Sequence, residues 1–113
     1  MLAAIGKIRS DGLKIAERFK SLMLECGVPL CKTIMFGSRA RGDAEPESDL
    51  DVLVIVETLN SALRKTISHC AWEAGFTAGV VIQSVVMTRD QAENGPEKSS
   101  LLMLAVEEEG VPV

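Results

Sequence analysis

Tyrosine is absent from this chain, and tryptophan occurs once beside three phenylalanines. Proteins that grip single-stranded nucleic acid offer aromatic platforms for base stacking, so this thin supply argues against an extensive surface of that kind. Positive charge is also short. A formal net charge of −4 and a pI near 5.0 disfavour broad binding to a phosphate backbone, which needs Lys and Arg clustered across a face. Lys7, Arg9, Lys14, Arg18 and Lys20 fall on the first helical segment and read as its solvated side. Cys26, Cys31 and Cys70 make an odd count without metal-ligand spacing, and we read them as reduced thiols of a cytoplasmic protein. No stretch approaches the roughly 18 apolar residues of a membrane span. The first residues also lack the basic start and long apolar run of a signal peptide. His69, the sole histidine, has no partner on its helix and reads as a surface or packing residue.

The chain does have an ordinary globular composition, 47% hydrophobic and 25% charged over 113 residues. No linker or internal repeat divides it, so a single domain over 1–113 is expected. Ile5, Ile8, Ile15, Phe19, Leu22 and Met23 recur at helical spacing and predict an amphipathic helix from Leu2 to Glu25, bent near Gly12 and stopped at Gly27. The β-branched and apolar run from Lys32 to Phe36 predicts a strand ending at Gly37. After a short helix over 38–42 and a polar loop over 43–48, Leu50 to Val56 predicts a second, buried strand. A helix capped by Asn60 or Ser61 should run to Gly75, with Leu63, Ile67, Cys70, Ala71 and Ala74 on its apolar side. A third strand is expected from Gly79 to Met87, then a short helix with Thr88 and Gln91 as capping box, a break at Gly95-Pro96, and a last helix from Glu97 to Glu109. The order is α-β-α-β-α-β-α.

Chemistry concentrates between the first two strands. The run Gly-Ser-Arg-Ala-Arg-Gly-Asp-Ala-Glu-Pro-Glu-Ser-Asp-Leu-Asp starts at Gly37 and ends at Asp51. Residues two apart on a strand point the same way, so Asp49 and Asp51 share one face and can hold one divalent cation. Two close carboxylates repel each other and raise each other's pKa unless a cation lies between them. Gly37 leaves room for a phosphate to approach the backbone, and Ser38 opens the short helix there. Taken singly, Gly37 is also a plain strand-end turn, and Ser38 and Ser48 are plain caps.

Gly-Ser, ten residues, then Asp-x-Asp resembles the signature of the minimal nucleotidyltransferases of the DNA polymerase beta superfamily, with Ala40-Arg41-Gly42 and Ser48-Asp49-Leu50-Asp51 also matching. The resemblance implies an α/β fold, a small mixed β-sheet with helices packed mainly on one face, like the superfamily's palm-like catalytic domain. It implies Mg²⁺ (or Mn²⁺) held by Asp49 and Asp51, and a nucleoside triphosphate, ATP, cradled by Gly37, Ser38, Arg41 and Ser48. Arg39 is the favoured residue to neutralise the leaving pyrophosphate, with Arg41 as the one to pair with a motif carboxylate. Arg41-Gly42-Asp43 thus belongs to the phosphate loop rather than to cell adhesion.

One position departs from the family pattern. Active members carry a third carboxylate on the next strand, and here Gln83 falls at that place, with no Asp or Glu between Glu73 and Asp90. An amide ligates a metal weakly and cannot act as a base at neutral pH. The acceptor is then activated by Asp51 or by a partner's group, or nucleotide binds without efficient turnover.

Minimal nucleotidyltransferases of this kind are commonly paired with a small helical HEPN protein as toxin and antitoxin, and transfer AMP to it. A protein hydroxyl is therefore the leading acceptor. A non-catalytic nucleotide- or partner-binding module and a transferase for a small acceptor such as an aminoglycoside are the alternatives. Leu101 to Val106 is an unbroken apolar run on a presumed helix, which cannot turn all its residues into one core. A partner interface or homo-oligomer contact is expected there.

Overall fold

The computed structural model describes residues 2–113, and side-chain surroundings from residue 5 onward. Its elements in chain order are α1 (Leu2–Glu25), β1 (Leu30–Phe36), α2 (Ser38–Arg41), β2 (Leu50–Val56), α3 (Ser61–Ala78), β3 (Ile82–Thr88), α4 (Arg89–Asn94), a 3₁₀ turn (Pro96–Ser99), α5 (Leu101–Glu109) and β4 (Val111–Pro112). The four strands form one mixed sheet in the order β3-β2-β1-β4. β1 runs antiparallel to β2 and to β4, whereas β2 and β3 are parallel, joined by the α3 crossover.

Strand β2 is central and apolar, and its alternation defines two cores. Leu50, Val52, Val54 and Val56 face α1 and α3, where Ala16, Phe19, Met23, Ile67, Cys70 and Ala74 close over them. Leu53 and Ile55 point the other way, into a smaller core with Phe36, Met87 and Val106 from the side of α4 and α5. The two long helices thus share one face together with α2, whose Ala40 joins their core, and α4 and α5 lie on the other. A strand buried on both sides reads as a continuous hydrophobic run, as this one does.

Several element boundaries differ from the sequence expectation for local reasons. α3 does not stop at Gly75, which is buried within it. The helix continues to Ala78 and is capped by Gly79 at φ 73°. The last helix starts at Leu101, because Pro96 opens a 3₁₀ turn and Ser100 accepts the Met103 N–H as a new N-cap. The predicted capping box at Thr88 and Gln91 is present, with both hydrogen bonds made. β4 has only two residues and was invisible to any periodicity. It extends β1's edge, pairing Ile34 with Pro112 and Met35 with Val111.

Two of the basic residues on α1 do more than face solvent. Arg9 Nε donates to the Ala40 carbonyl at 2.7 Å, tying α1 to α2, and Lys20 Nζ donates to the Val113 carbonyl at 3.0 Å. Two of the four aromatic residues lie exposed on α3, with Trp72 and Phe76 stacked 4.9 Å apart and His69 against Trp72. Cys26, just past the C-terminal end of α1, and Cys70, in the middle of α3, have sulfurs 4.0 Å apart and are free thiols. Among the described residues, no helix is long and apolar enough to cross a membrane.

Candidate active site

The site forms where β1 ends and β2 begins. Register pairs Phe36 with Asp51, so the antiparallel hairpin brings Gly37 beside the start of β2. Gly37 has φ 77°, a conformation side chains avoid, and a Cβ there would run into the Asp51 carboxylate. Glycine is needed twice at this point, for the backbone angle and for the space. Asp51 lies on the α4/α5 side of β2, the face of Leu53 and Ile55, at the edge of the smaller core.

The parallel pairing of β2 with β3 sets Gln83 level with Asp51. Its amide Nε2 donates to Asp49 Oδ2 at 2.8 Å. Gln83 therefore stands at the site, as expected, and fixes the orientation of Asp49. Burial pushes the Asp51 carboxyl above its ordinary range, and the negative charge of Asp49 pushes it further; Arg41 pulls it down, and Glu109 raises it again. The shift marks first the burial of this carboxyl and second its closeness to Asp49.

Arg41 pairs with a motif carboxylate, Asp43, as expected, whereas Arg39 is engaged by loop carbonyls. Arg39 is only 7% exposed. Its Nε and Nη2 donate to the Ser48 carbonyl at 3.2 and 2.9 Å, and Nη2 also donates to the Pro46 carbonyl at 3.1 Å. A planar cation with Nε and Nη2 on loop carbonyls braces the 43–48 loop, leaving Nη1 as its remaining donor nitrogen. Arg41 is the exposed one. It donates to Asp43 at 3.1 Å and to both oxygens of Glu109 at 3.1 Å, and these carboxylates hold its guanidinium still more firmly protonated. Ser48 is likewise a loop residue here, its hydroxyl accepting the Glu45 N–H at 2.9 Å. Ser38 opens α2, and its carbonyl receives the Gly42 and Asp43 N–H groups.

Sequence reasoning missed Glu109. Its Oε1 accepts the Gly37 N–H at 3.2 Å while the carboxylate pairs with Arg41. The β1–β4 register accounts for this placement: with Ile34 opposite Pro112 and Met35 opposite Val111, continuing the antiparallel count sets Glu109 opposite Gly37.

Asp49, Asp51, Gln83 and Gly37 thus converge, with Arg41 and Glu109 alongside. A nucleotidyltransferase domain model matches residues 14–106. The chain belongs to that family. The matched span runs from α1 to α5 and contains every site residue named above except Glu109. Among solved structures, the chain is similar to one described as a crystal structure of a toxin–antitoxin with AMP-PNP, at a TM-score of 0.59 and 19% identity over 86% of this chain and 70% of that one. At that identity the likeness is one of fold. A search of curated proteins gives no match.

The family implies a divalent cation, and the donors fit one. No group of three His, Cys, Asp or Glu side chains able to hold a metal occurs among the described residues. Asp49 and Asp51 are two carboxylates at the entry of one strand, and Mg²⁺ is commonly held by one or two carboxylates together with water and substrate phosphates.

Proposed function

We propose that this chain acts as one nucleotidyltransferase domain over 1–113, which uses Mg²⁺ to transfer AMP from ATP to a hydroxyl on a protein, a small helical HEPN-type partner, as the antitoxin of a pair. The observation that carries it is Asp51 packed against the side-chain-free backbone of Gly37, with Asp49 two residues before it held by Gln83, in a chain of the nucleotidyltransferase family. The toxin–antitoxin with AMP-PNP, similar in fold, supports the choice of partner class and nucleotide.

Asp49 and Asp51 would hold the cation. When bound, it offsets the charge of the triphosphate and of the departing pyrophosphate. Gln83 keeps Asp49 turned toward the site, and Arg41 is the cation free to meet phosphate oxygens once released from its carboxylate partners. Asp51, level with Gln83 across the sheet, is the carboxylate of this chain that would take a proton from an acceptor hydroxyl where the partner supplies no base. On α5, Leu101 is 85% exposed and Leu104 49%, whereas Leu102 and Met103 pack on the smaller core; this supports a partner surface on the outer side of that helix.

A second reading is a module that binds nucleotide and partner without turnover, supported by Gln83 in place of a third carboxylate. Incubation with α-labelled ATP, Mg²⁺ and the product of the neighbouring gene separates the two. Label on the partner's protein band is expected. A tight complex without label favours the second reading, and label on neither with no complex contradicts both.

A further inference from the structure

The occupant of the Gly37 cradle is a carboxylate of the chain itself. Glu109 Oε1 accepts from the Gly37 N–H at 3.2 Å and from Arg41 Nη1 at 3.1 Å, and Oε2 accepts from the same nitrogen at 3.1 Å. A main-chain donor and a guanidinium converging on one oxyanion is the arrangement that receives a phosphate oxygen. Glu109 is also at an unfavourable end of its helix. It is the last residue of α5, follows Glu107 and Glu108, and has no basic residue in that turn. The partial negative charge of a helix C-terminus disfavours carboxylates there. Its two partners in the cradle compensate it.

We infer that Glu109 is an internal stand-in for a phosphate, plugging the Gly37–Arg41 cradle, and that it must leave before a nucleoside triphosphate can occupy the site. This rests on the nucleotide-binding reading above and adds to it a competition within the chain. The plug is held by the two-residue strand β4, whose pairing with β1 delivers Glu109 to Gly37. Such a short edge strand separates at low cost, so the plug is reversible. With the carboxylate gone, the Gly37 N–H and Arg41 Nη1 are both free to donate, while Arg41 Nε stays on Asp43.

The test compares binding of Mg²⁺·ATP and of Mg²⁺·tripolyphosphate to wild type, Glu109→Gln, Glu109→Ala and Asp49→Ala/Asp51→Ala by calorimetry. Both Glu109 variants should bind both ligands ~3- to 10-fold tighter than wild type, the range expected for removing a partly exposed ion pair and its companion hydrogen bond. Wild-type binding with equal or weaker binding by the Glu109 variants overturns the plug, and weaker binding makes Glu109 a ligand instead. If neither wild type nor any variant binds, the nucleotide-site reading itself falls, and the plug with it. A second measurement needs no variant. In ¹⁵N-labelled wild type, Mg²⁺·ATP should shift the Gly37 and Glu109 amides along one binding curve, and a Glu109 resonance that stays fixed while Gly37 moves overturns the plug.

Discussion

The two sides of strand β2 differ in what they are for. On the α1/α3 side Leu50, Val52, Val54 and Val56 are all fully buried, and the packing runs without interruption from one end of the strand to the other. On the α4/α5 side Leu53 and Ile55 are buried, but at the start of the strand apolar side chains give way to Asp49 and Asp51. A single period-two alternation therefore puts most of the stabilising contact on one side and the reactive carboxylates on the other. The lesson is that stability and chemistry are separable here, and substitutions on the two sides should have different signatures.

The largest expected effect breaks the packed side. Phe19 is fully buried on α1, and Phe19→Ala should lower stability by about 3–5 kcal/mol in denaturant unfolding. A loss below about 1 kcal/mol would show that the α1/α3 core carries less than its burial implies.

The arginines sharpen the contrast within one loop. Arg39→Ala removes a buried cation from the Ser48 and Pro46 carbonyls and should cost about 2–3 kcal/mol of stability. Arg41→Ala should leave the unfolding midpoint nearly unchanged and weaken ATP binding. The reverse pattern would return the phosphate-facing role to Arg39.

A smaller effect concerns pH. Asp51 titrates higher in the folded chain than its ordinary 3.8, owing first to burial and then to Asp49, with Arg41 opposing and Glu109 adding. Its protonated form is thus favoured by folding: the contribution to stability is full below 3.8 and is lost as pH rises through the raised folded value. Asp51→Asn should therefore raise the Tm of the metal-free protein at pH 7, and the gain should shrink as pH falls toward 4. A gain that grows on acidification would contradict the burial of this charge.

The smallest structural change is Gln83→Asp, which should leave the fold intact and raise Mn²⁺ affinity or AMP transfer by adding a third carboxylate beside Asp49. A folded variant with no gain in either would mean that the third position lies elsewhere or that the partner supplies the base.

Much of this was legible in the sequence because it rests on local rules. The apolar period over Ile8 to Met23 made α1, the unbroken run Leu50–Val56 made a strand buried on both sides, and the spacing from Gly37 to Asp51 picked out residues that the β1–β2 hairpin brings together. Gln83 could be placed because its strand is continuous and ends at a clear capping box. What stayed hidden depends on long-range geometry. Arg39 and Arg41 are chemically alike in sequence, and only the course of the 43–48 loop decides which is buried. Glu109 reaches Gly37 through the register of a two-residue strand, and no local pattern announces either.

The central claim, that Asp49 and Asp51 form the metal–nucleotide site, is tested most directly by thermal unfolding of wild type and of Asp49→Ala/Asp51→Ala with and without Mg²⁺ and ATP. A ligand that binds only the folded state at a hundredfold excess over Kd adds ~2.7 kcal/mol, and wild type should show a Tm rise of that order while the double variant shows none. Equal rises in both proteins would contradict the assignment of the carboxylate pair.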